Sequence, residues 1–445
     1  MNIIIRTEER PKKSTLATIF NTFCNTHLTE NDIDIYPILH NGNFTFTYKL
    51  LIPGFDRVSL ELVSGTSSFI DYLIIEVDDL GNERLIAMIE ETKTDDSESR
   101  NTGIYQRASK FIYANLFYPF IPKYMLYISE NDNNRIPSET AQFGTKLLKT
   151  IGVQIIGKND YYNSLLPFKS IDEIINFKNN MRRPPVGNTP ILITRDLTSG
   201  SYSISGILSK PKEEGNIAHD PNIGALTLIS AGIRKFDPYS PIYITHHCVS
   251  QSYIENTYGN KFLYIASYLN IILSNLIYNP QNFNIASNYY YNERSSEKIT
   301  TIFLHIVLER IGAKLIYENH AGCERGYFHT NNGIEIALPK KVNSQQLYIP
   351  DLIMQLPTGK VLIIEGKKLS TLYNGINELK NYNLIENYYI KPDYNNPIIE
   401  RWVTTFGGNL NQIPHEKVLI HINSDGTVFI NSNAPYELKN YFNIF

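Results

Sequence analysis

Residues 68–93 read Ser68-Phe-Ile-Asp-Tyr-Leu-Ile-Ile-Glu-Val-Asp-Asp-Leu-Gly-Asn-Glu-Arg-Leu-Ile-Ala-Met-Ile-Glu-Glu-Thr-Lys93, and this stretch decides the fold of the N-terminal half. Two runs rich in Ile, Leu and Val, 71–77 and 84–93, flank the polar sequence 78–82. Acidic residues and a glycine between two apolar runs are typical of a tight turn that joins two β-strands. The stretch therefore predicts a β-hairpin.

The period-2 alternation of a strand decides which side chains share a face of this hairpin. Glu91 and Lys93 are two residues apart, so they are predicted to point the same way at the end of the second strand. Asp71 is predicted to lie opposite them, because a hairpin returns the chain to its start. Two carboxylates about 4 Å apart repel by about 4 kcal/mol at an effective dielectric of 20, and a bound dication reverses that sign. The hairpin therefore predicts a divalent-metal site with a lysine beside it.

The same arrangement recurs near the C-terminus, where residues 348–367 read Tyr348-Ile-Pro-Asp-Leu-Ile-Met-Gln-Leu-Pro-Thr-Gly-Lys-Val-Leu-Ile-Ile-Glu-Gly-Lys367. Asp351 follows a proline on the first strand, residues 357–359 form the turn, and the second strand ends in Glu365-Gly-Lys367. Glu365 and Lys367 again share one parity. The sequence therefore predicts a second site of the same kind.

The bare pattern Glu-x-Lys occurs at four positions, Glu91, Glu365, Glu378 and Glu437. The last two lie in polar stretches without an upstream strand that carries aspartate, and we interpret them as surface pairs. The simpler explanation for the first two is a hairpin that happens to end in charged residues. Two independent copies favour the functional interpretation.

The two hairpins resemble the PD-(D/E)XK nucleases, whose signature is an aspartate followed on the next strand by Asp or Glu, any residue and Lys. Residues 65–110, with their Asp-Asp-x-Gly turn and the following Arg100-Asn101, resemble the EcoRI-like restriction endonucleases. Ile70 stands where that family often has proline, whereas the second hairpin has the full Pro-Asp…Glu-x-Lys form. The resemblance implies an α/β fold with two nuclease-like cores, each a mixed sheet flanked by helices, joined by a less regular central region.

The resemblance also implies residue roles in a Mg²⁺-dependent reaction for which Mn²⁺ can substitute. The catalytic residues would be Asp71, Glu91, Lys93, Asp351, Glu365 and Lys367. The metal ligands would be Asp71, Glu91, Asp351 and Glu365, with Glu297 from the first helix of the C-terminal module as a further carboxylate. Glu309 is the alternative to Glu297, and the simpler explanation is that both are surface residues. Residues expected to contact DNA are Arg100, Asn101, Arg107 and Lys110.

The implied activity is that of a type II restriction endonuclease, a site-specific deoxyribonuclease that acts on double-stranded DNA beside a cognate methyltransferase. Asp71 and Glu91 are 20 residues apart but Asp351 and Glu365 only 14, so a recent duplication is not indicated. Two unlike sites could each cut one strand of an asymmetric recognition sequence, and such an enzyme could act as a monomer. The alternatives are a nuclease or nickase with one working site and a non-cleaving DNA-binding protein that keeps the fold.

The composition is that of a globular protein, with 42% hydrophobic and 19% charged residues. The sequence contains no apolar run of about 18 residues, so no membrane helix is predicted. The first ten residues are too polar for a signal peptide. The three cysteines show no zinc spacing and fit reduced thiols in a cytoplasm. The net charge of −3 neither supports nor excludes a DNA partner.

Periodicity predicts an α/β module over 1–181, a linker and central region over 182–294, and a second α/β module over 295–445. The resemblance implies that the first is an EcoRI-like nuclease module, that the second is a further nuclease module, and that the central region could recognise DNA. The prolines in 181–190 mark the first boundary. Adjacent strand residues face opposite ways, so His246-His247-Cys248 is not expected to bind a metal. The predicted helices are 14–28, 104–118, 141–151, 262–278, 299–311 and 371–388. Outside the hairpins the predicted strands are 45–51, 60–63, 124–128, 153–156, 315–317, 334–338, 418–422 and 428–430.

Overall fold

The protein is a mixed α/β protein, as the sequence predicts. The computed structural model describes residues 2–39, 46–65, 69–93, 103–128, 136–157, 160–181, 191–206, 221–246, 257–273, 287–293, 297–320 and 327–443. None of the described helices is both long and apolar enough to span a membrane.

The helices and strands follow one another as the periodicity indicates in most places. The strands are β1 Asn2–Thr7, β2 Asp34–Leu39, β3 Phe46–Leu51, β4 Arg57–Gly65, β5 Tyr72–Val77, β6 Glu83–Lys93, β7 Lys123–Ile128, β8 Gln154–Gly157, β9 Leu192–Asp196, β10 Ser201–Gly206, β11 Ile242–His246, β12 Ile271–Leu273, β13 Tyr290–Asn292, β14 Lys314–Glu318, β15 Tyr327–His329, β16 Glu335–Ala337, β17 Lys341–Val342, β18 Gln345–Gln346, β19 Leu352–Gln355, β20 Val361–Lys368, β21 Ile399–Phe406, β22 Val418–Ile422 and β23 Val428–Ile430. The α-helices are α1 Lys13–Cys24, α2 Gly103–Ala114, α3 Glu139–Thr150, α4 Asp160–Ser164, α5 Ile171–Asn180, α6 Pro221–Phe236, α7 Thr257–Tyr268, α8 Lys298–Arg310, α9 Leu372–Glu378, α10 Asn383–Ile385, α11 Lys391–Asp393 and α12 Tyr436–Asn443.

The chain forms two compact units that do not follow the three predicted stretches. The first unit consists of residues 1–64, 77–81 and 292–445, and the second of residues 65–76 and 82–291. The predicted boundary at 182–190 lies outside the described residues.

Within the first unit, ion pairs connect the N-terminal residues to helix α8. Arg10 forms an ion pair with Glu309. Nη1 of Arg310 lies 2.7 Å from Oδ1 of Asp34. Local periodicity cannot show contacts between segments this far apart in the chain.

The first unit contains the sheet β14-β19-β20-β21-β22-β23. Strands β19 and β20 are antiparallel and pair Leu352 with Ile364, so Asp351 at the strand entrance comes level with Glu365. Strands β20, β21 and β22 are parallel, and buried aliphatic side chains such as Ile363 and Val403 fill the core on one face. Helix α8 contacts β20 and β21.

The predicted helix over 371–388 is irregular. It begins as α9, tightens to a 3₁₀ turn over Leu379–Tyr382, continues through α10 and widens to a π turn over Glu386–Ile390 before α11. Single π turns often occur at functional positions. In this protein the irregular helix lies beside the end of β20, and its 3₁₀ turn carries Tyr382 to the side chain of Glu365.

The second unit contains the strands β5, β6, β7 and β8, adjacent in that order. Strands β6, β7 and β8 run parallel, and helices α2 and α3 follow β6 and β7 along the chain. The expected helix, hairpin, strand, helix and strand elements are therefore mostly present, although α1 belongs to the first unit.

The central region is more regular than predicted, because it contains a four-stranded sheet in the order β12-β11-β10-β9. The predicted helix over 262–278 is wrong from residue 269 to residue 273: α7 ends at Tyr268, and Ile271–Leu273 forms strand β12. Residues 274–278 lie outside the described part of the chain. Asn270 lies between them with a left-handed φ of 50°, a conformation that ends a helix and that asparagine adopts readily.

Candidate active sites

The first cluster lies where β5 begins and β6 ends, in the second unit. Oδ2 of Asp71 accepts a hydrogen bond of 2.8 Å from the backbone N–H of Glu91. The backbone N–H of Asp71 donates to Oε2 of Glu90 at 3.2 Å. These two bonds hold the carboxylates of Asp71 and Glu90 close together.

Helix α2 adds two cations to this pair. Nζ of Lys110 lies 2.6 Å from Oε1 of Glu90 and 3.3 Å from Oδ1 of Asp71. Nε of Arg107 lies 3.5 Å from the same oxygen of Glu90. The sequence predicts Arg107 and Lys110 as exposed DNA contacts, but both are only partly exposed and reach back to a carboxylate that is 0% exposed.

Glu91 lies on the opposite face of β6. Its Oε2 accepts a hydrogen bond of 2.7 Å from the hydroxyl of Tyr72. The structure therefore places Asp71 beside Glu90, and Glu91 beside Tyr72. Lys93 is the last residue of β6, and its side chain lies outside the described part of the chain, as do Arg100 and Asn101.

The protonation of Glu90 is strongly perturbed. Burial and the neighbouring carboxylate of Asp71 raise the pKa of Glu90 to about 8, although the cations of Lys110 and Arg107 oppose this. Burial lowers the pKa of Lys110, but the carboxylates of Asp71 and Glu90 outweigh it and raise the pKa above its usual value. A further cation at this site, such as a metal ion, would favour the ionised form of Glu90.

This perturbation predicts a pH-dependent stability. A carboxyl whose pKa is higher in the folded than in the unfolded state destabilises the fold as the pH rises through the folded pKa. Without metal, we therefore expect Glu90→Gln to melt several degrees above the wild type at about pH 9 and close to it at about pH 5. Thermal melts in EDTA measure this, with Glu91→Gln as the less buried control. A melting difference for Glu90→Gln that is the same at both pH values would contradict the assignment.

The second cluster lies in the first unit, where β19 begins and β20 ends. Oδ2 of Asp351 accepts a hydrogen bond of 2.8 Å from the backbone N–H of Gly366. Nζ of Lys367 donates to Oε1 of Glu365 at 2.6 Å and lies 2.9 Å from Oε2 of Glu378. The structure thus brings Asp351, Glu365 and Lys367 together at one strand end.

A tyrosine, Tyr382, and a glycine, Gly366, complete this second cluster. The hydroxyl of Tyr382 donates a hydrogen bond to Oε2 of Glu365. Gly366 must be glycine, because an added Cβ would lie 2.7 Å from Cγ2 of Thr301 and 2.9 Å from the backbone oxygen of Glu297. The close approach of helix α8 to the site therefore requires glycine at this position.

Of the two candidates for a further carboxylate, Glu297 lies nearer to Asp351. The side chain of Glu297 is exposed, and its charge contributes to raising the pKa of Asp351, after burial as the main cause. Glu309 instead pairs with Arg10.

The pKa values of both acids in the second cluster are raised above their usual range. Burial and the charge of Asp351 raise the pKa of Glu365. Burial lowers the pKa of Lys367, but the carboxylates of Glu365 and Glu378 raise it by more. The pKa of Lys367 is therefore above its usual value. Two adjacent, partly desolvated carboxylates beside an ammonium form a set of hard oxygen donors, and such donors suit a small dication.

The two clusters share one geometric rule. In each, the aspartate at the strand entrance accepts a hydrogen bond of 2.8 Å from the backbone N–H of the residue that follows a glutamate on the next strand. By this rule Glu90 corresponds to Glu365. The position of Lys367 then corresponds to Thr92, and the ammonium of the first cluster comes from Lys110 on helix α2.

The sequence also allows the alignment of Glu90, in place of Glu91, with Glu365, although the Glu-x-Lys motif points to Glu91. Glu90 and Glu91 are adjacent, and a one-residue change of register moves every side chain of a strand to the other face. Arg107 and Lys110 are three residues apart and therefore share a face of a helix. Tyr72, Tyr382 and Glu378 are further site neighbours that sequence reasoning missed.

No protein-family model matches the sequence, and the search of curated proteins found no match.

Proposed function

We propose that the chain is a Mg²⁺-dependent site-specific deoxyribonuclease of the type II restriction class, with one active site for each DNA strand. The observation that carries this proposal is the recurrence of one arrangement, Asp, Glu and an ammonium at a strand end, in both units. A surface ion pair has no reason to reproduce the same backbone hydrogen bond twice.

The carboxylates of each cluster would hold the metal, which supplies Lewis acidity at the scissile phosphate and makes a bound water more acidic. Asp351 and Glu365 would supply the oxygen ligands in one unit, and Asp71 and Glu90 in the other. The nearby ammonium, from Lys367 or Lys110, positions the attacking water and offsets the charge that develops on the phosphate. Because these groups are fixed by neighbouring hydrogen bonds, little reorganisation is needed during the reaction.

The partners that follow are double-stranded DNA and a cognate methyltransferase that would protect the host sequence. Two unlike sites suit an asymmetric recognition sequence and do not require a symmetric dimer. A cytoplasmic location agrees with access to DNA.

One observation favours a second candidate, a nickase with a single working site. Glu90 is 0% exposed, and its charge is already balanced by Lys110. A closed ion pair of this kind could support the fold without binding metal. The C-terminal cluster would then be the sole active site.

Metal dependence tests the proposal directly. We expect cleavage of plasmid DNA with Mg²⁺ or Mn²⁺ and none in EDTA. We also expect none with Ca²⁺, whose larger and more flexible coordination shell does not activate water in the same way. Products are separated on agarose after incubation with DNA that carries many candidate sites. Cleavage that persists in EDTA would contradict the mechanism.

A further inference from the structure

A separate group of potential metal ligands lies in the first unit. His305 belongs to α8, Glu318 ends β14 and His320 follows two residues later. One ligand atom from each of the three lies within 4.8 Å of the others, and both imidazoles are buried. This group shares no side chain with the candidate active sites.

The spacing of the three ligand atoms is that of a tetrahedral metal site. Nδ1 of His305 lies 3.0 Å from Nε2 of His320 and 3.2 Å from Oε2 of Glu318, and the remaining separation is 3.6 Å. An ion bound tetrahedrally at 2.0–2.1 Å separates its ligands by roughly 3.3 Å. The three atoms therefore approximate one face of a coordination tetrahedron.

The surroundings orient both rings toward this face. Nδ1 of His320 lies 2.9 Å from Oγ1 of Thr301, so that Nε2 is left to face the cluster. Nε2 of His305 lies 3.4 Å from Oε1 of Glu309, but without the geometry of a hydrogen bond among the described residues, and Nδ1 faces the cluster. Metal-bound histidines commonly have an oxygen partner on the other ring nitrogen, as His320 has in Thr301.

The charge around the cluster also suits a cation. Oε2 of Glu318 is buried without a hydrogen-bond partner among the described residues. The carboxylates of Glu309 and Glu318 face Arg10, whose Nη1 lies 4.0 Å from Glu318. Lys13 and Lys298 also act electrostatically on the residues of this group. The competing explanation is a hydrogen bond without a metal ion, in which one proton lies between Nδ1 of His305 and Nε2 of His320.

We propose that His305, Glu318 and His320 bind a zinc-class divalent ion. Imidazole ligands favour Zn²⁺ over Mg²⁺, which takes oxygen ligands, so this ion would differ from the one at the acidic clusters. The backbone N–H of Asn319, between two of the ligands, donates a hydrogen bond of 2.8 Å to the backbone oxygen of Asp351. The ion would thus brace the segment that holds Asp351 in place.

The test measures zinc on the full-length chain. After treatment with a chelator, the protein is mixed with a small excess of Zn²⁺ and millimolar Mg²⁺, desalted and analysed by inductively coupled plasma mass spectrometry. We expect about one Zn²⁺ per chain for the wild type and background for His305→Gln and His320→Gln. The matched control is His421→Gln, because His421 is buried between Thr405 and Asn423 but is not part of the cluster.

Two further measurements separate this site from the acidic clusters and from misfolding. The double variant Asp71→Asn/Asp351→Asn should retain one Zn²⁺, and wild-type protein loaded with Co²⁺ should show the intense visible absorption of a tetrahedral ion. Equal zinc loading of wild type and histidine variants would overturn the proposal. So would a weak six-coordinate Co²⁺ spectrum from the wild type, a result that does not depend on whether the variants fold.

Discussion

If the proposed function holds, Asp351→Asn is expected to nick supercoiled plasmid to the open circle and stop there, whereas the wild type is expected to linearise it. Asparagine keeps an oxygen that can accept the hydrogen bond from Gly366 but removes the charge that would bind metal. Loss of one electrostatic contributor commonly lowers a rate by about 10²–10³-fold. The other unit keeps its own cluster, so one strand should still be cut. Agarose electrophoresis of a time course measures the two products.

The DNA strand that each variant still cuts identifies which unit cleaves which strand. Run-off sequencing should show that Asp351→Asn and Asp71→Asn nick opposite strands at one recognition sequence. The double variant should bind that sequence without cutting, because in the proposed mechanism these residues act at the scissile phosphate and do not read the base edges. Asp425→Asn is the matched control, since Asp425 also accepts a backbone hydrogen bond but lies in an exposed turn.

Contrasting outcomes distinguish the alternatives. If Asp351→Asn abolishes all cleavage and Asp71→Asn changes nothing, the C-terminal cluster is the single active site. If both variants linearise plasmid at the wild-type rate, neither cluster is catalytic. A wild-type chain that binds DNA without cleavage under all metal conditions would support the non-cleaving alternative.

Local patterns predicted the second hairpin closely because its features agree with one another. The turn at 357–359, the alternation along β20 and the single Glu-x-Lys admit one register, and the structure has Asp351, Glu365 and Lys367 together. The nearby strands at 418–422 and 428–430 coincide with the observed β22 and β23. For this hairpin, the spacing of the motif is sufficient to predict which side chains lie together.

The first hairpin shows the limit of such reasoning. Its strands were predicted correctly, but two adjacent glutamates at the end of β6 leave the face of the site undetermined. The contact that distinguishes them comes from Lys110, which belongs to a helix that begins only after the strand has ended. The attachment of residues 1–64 to the C-terminal unit was likewise inaccessible, because ion pairs such as that between Arg10 and Glu309 have no local sequence signature.

The adjacent pair Glu90 and Glu91 provides the most discriminating test of the first site. Glu90→Gln is expected to lower cleavage of one strand by at least about 100-fold, because its carboxylate is the one held beside Asp71. Glu91→Gln is expected to retain most activity, because Tyr72 holds that side chain on the other face. The two substitutions are chemically identical and one residue apart, so each controls for the other. Single-turnover cleavage of a labelled duplex measures the rate on each strand separately.

The same comparison applies to the two lysines. Lys110→Met should impair the strand that Glu90→Gln impairs, whereas Lys93→Met should do so only if the motif Asp71…Glu91-x-Lys93 is the functional one. Methionine retains the length of the lysine stem but removes the charge that pairs with Glu90 and Asp71. Added Mn²⁺ should partly rescue a weakened metal site but not a missing ammonium, which separates the roles of glutamate and lysine. A large loss in Glu91→Gln and Lys93→Met, with near-normal rates in Glu90→Gln and Lys110→Met, would show that the motif register holds and that the buried cluster is structural.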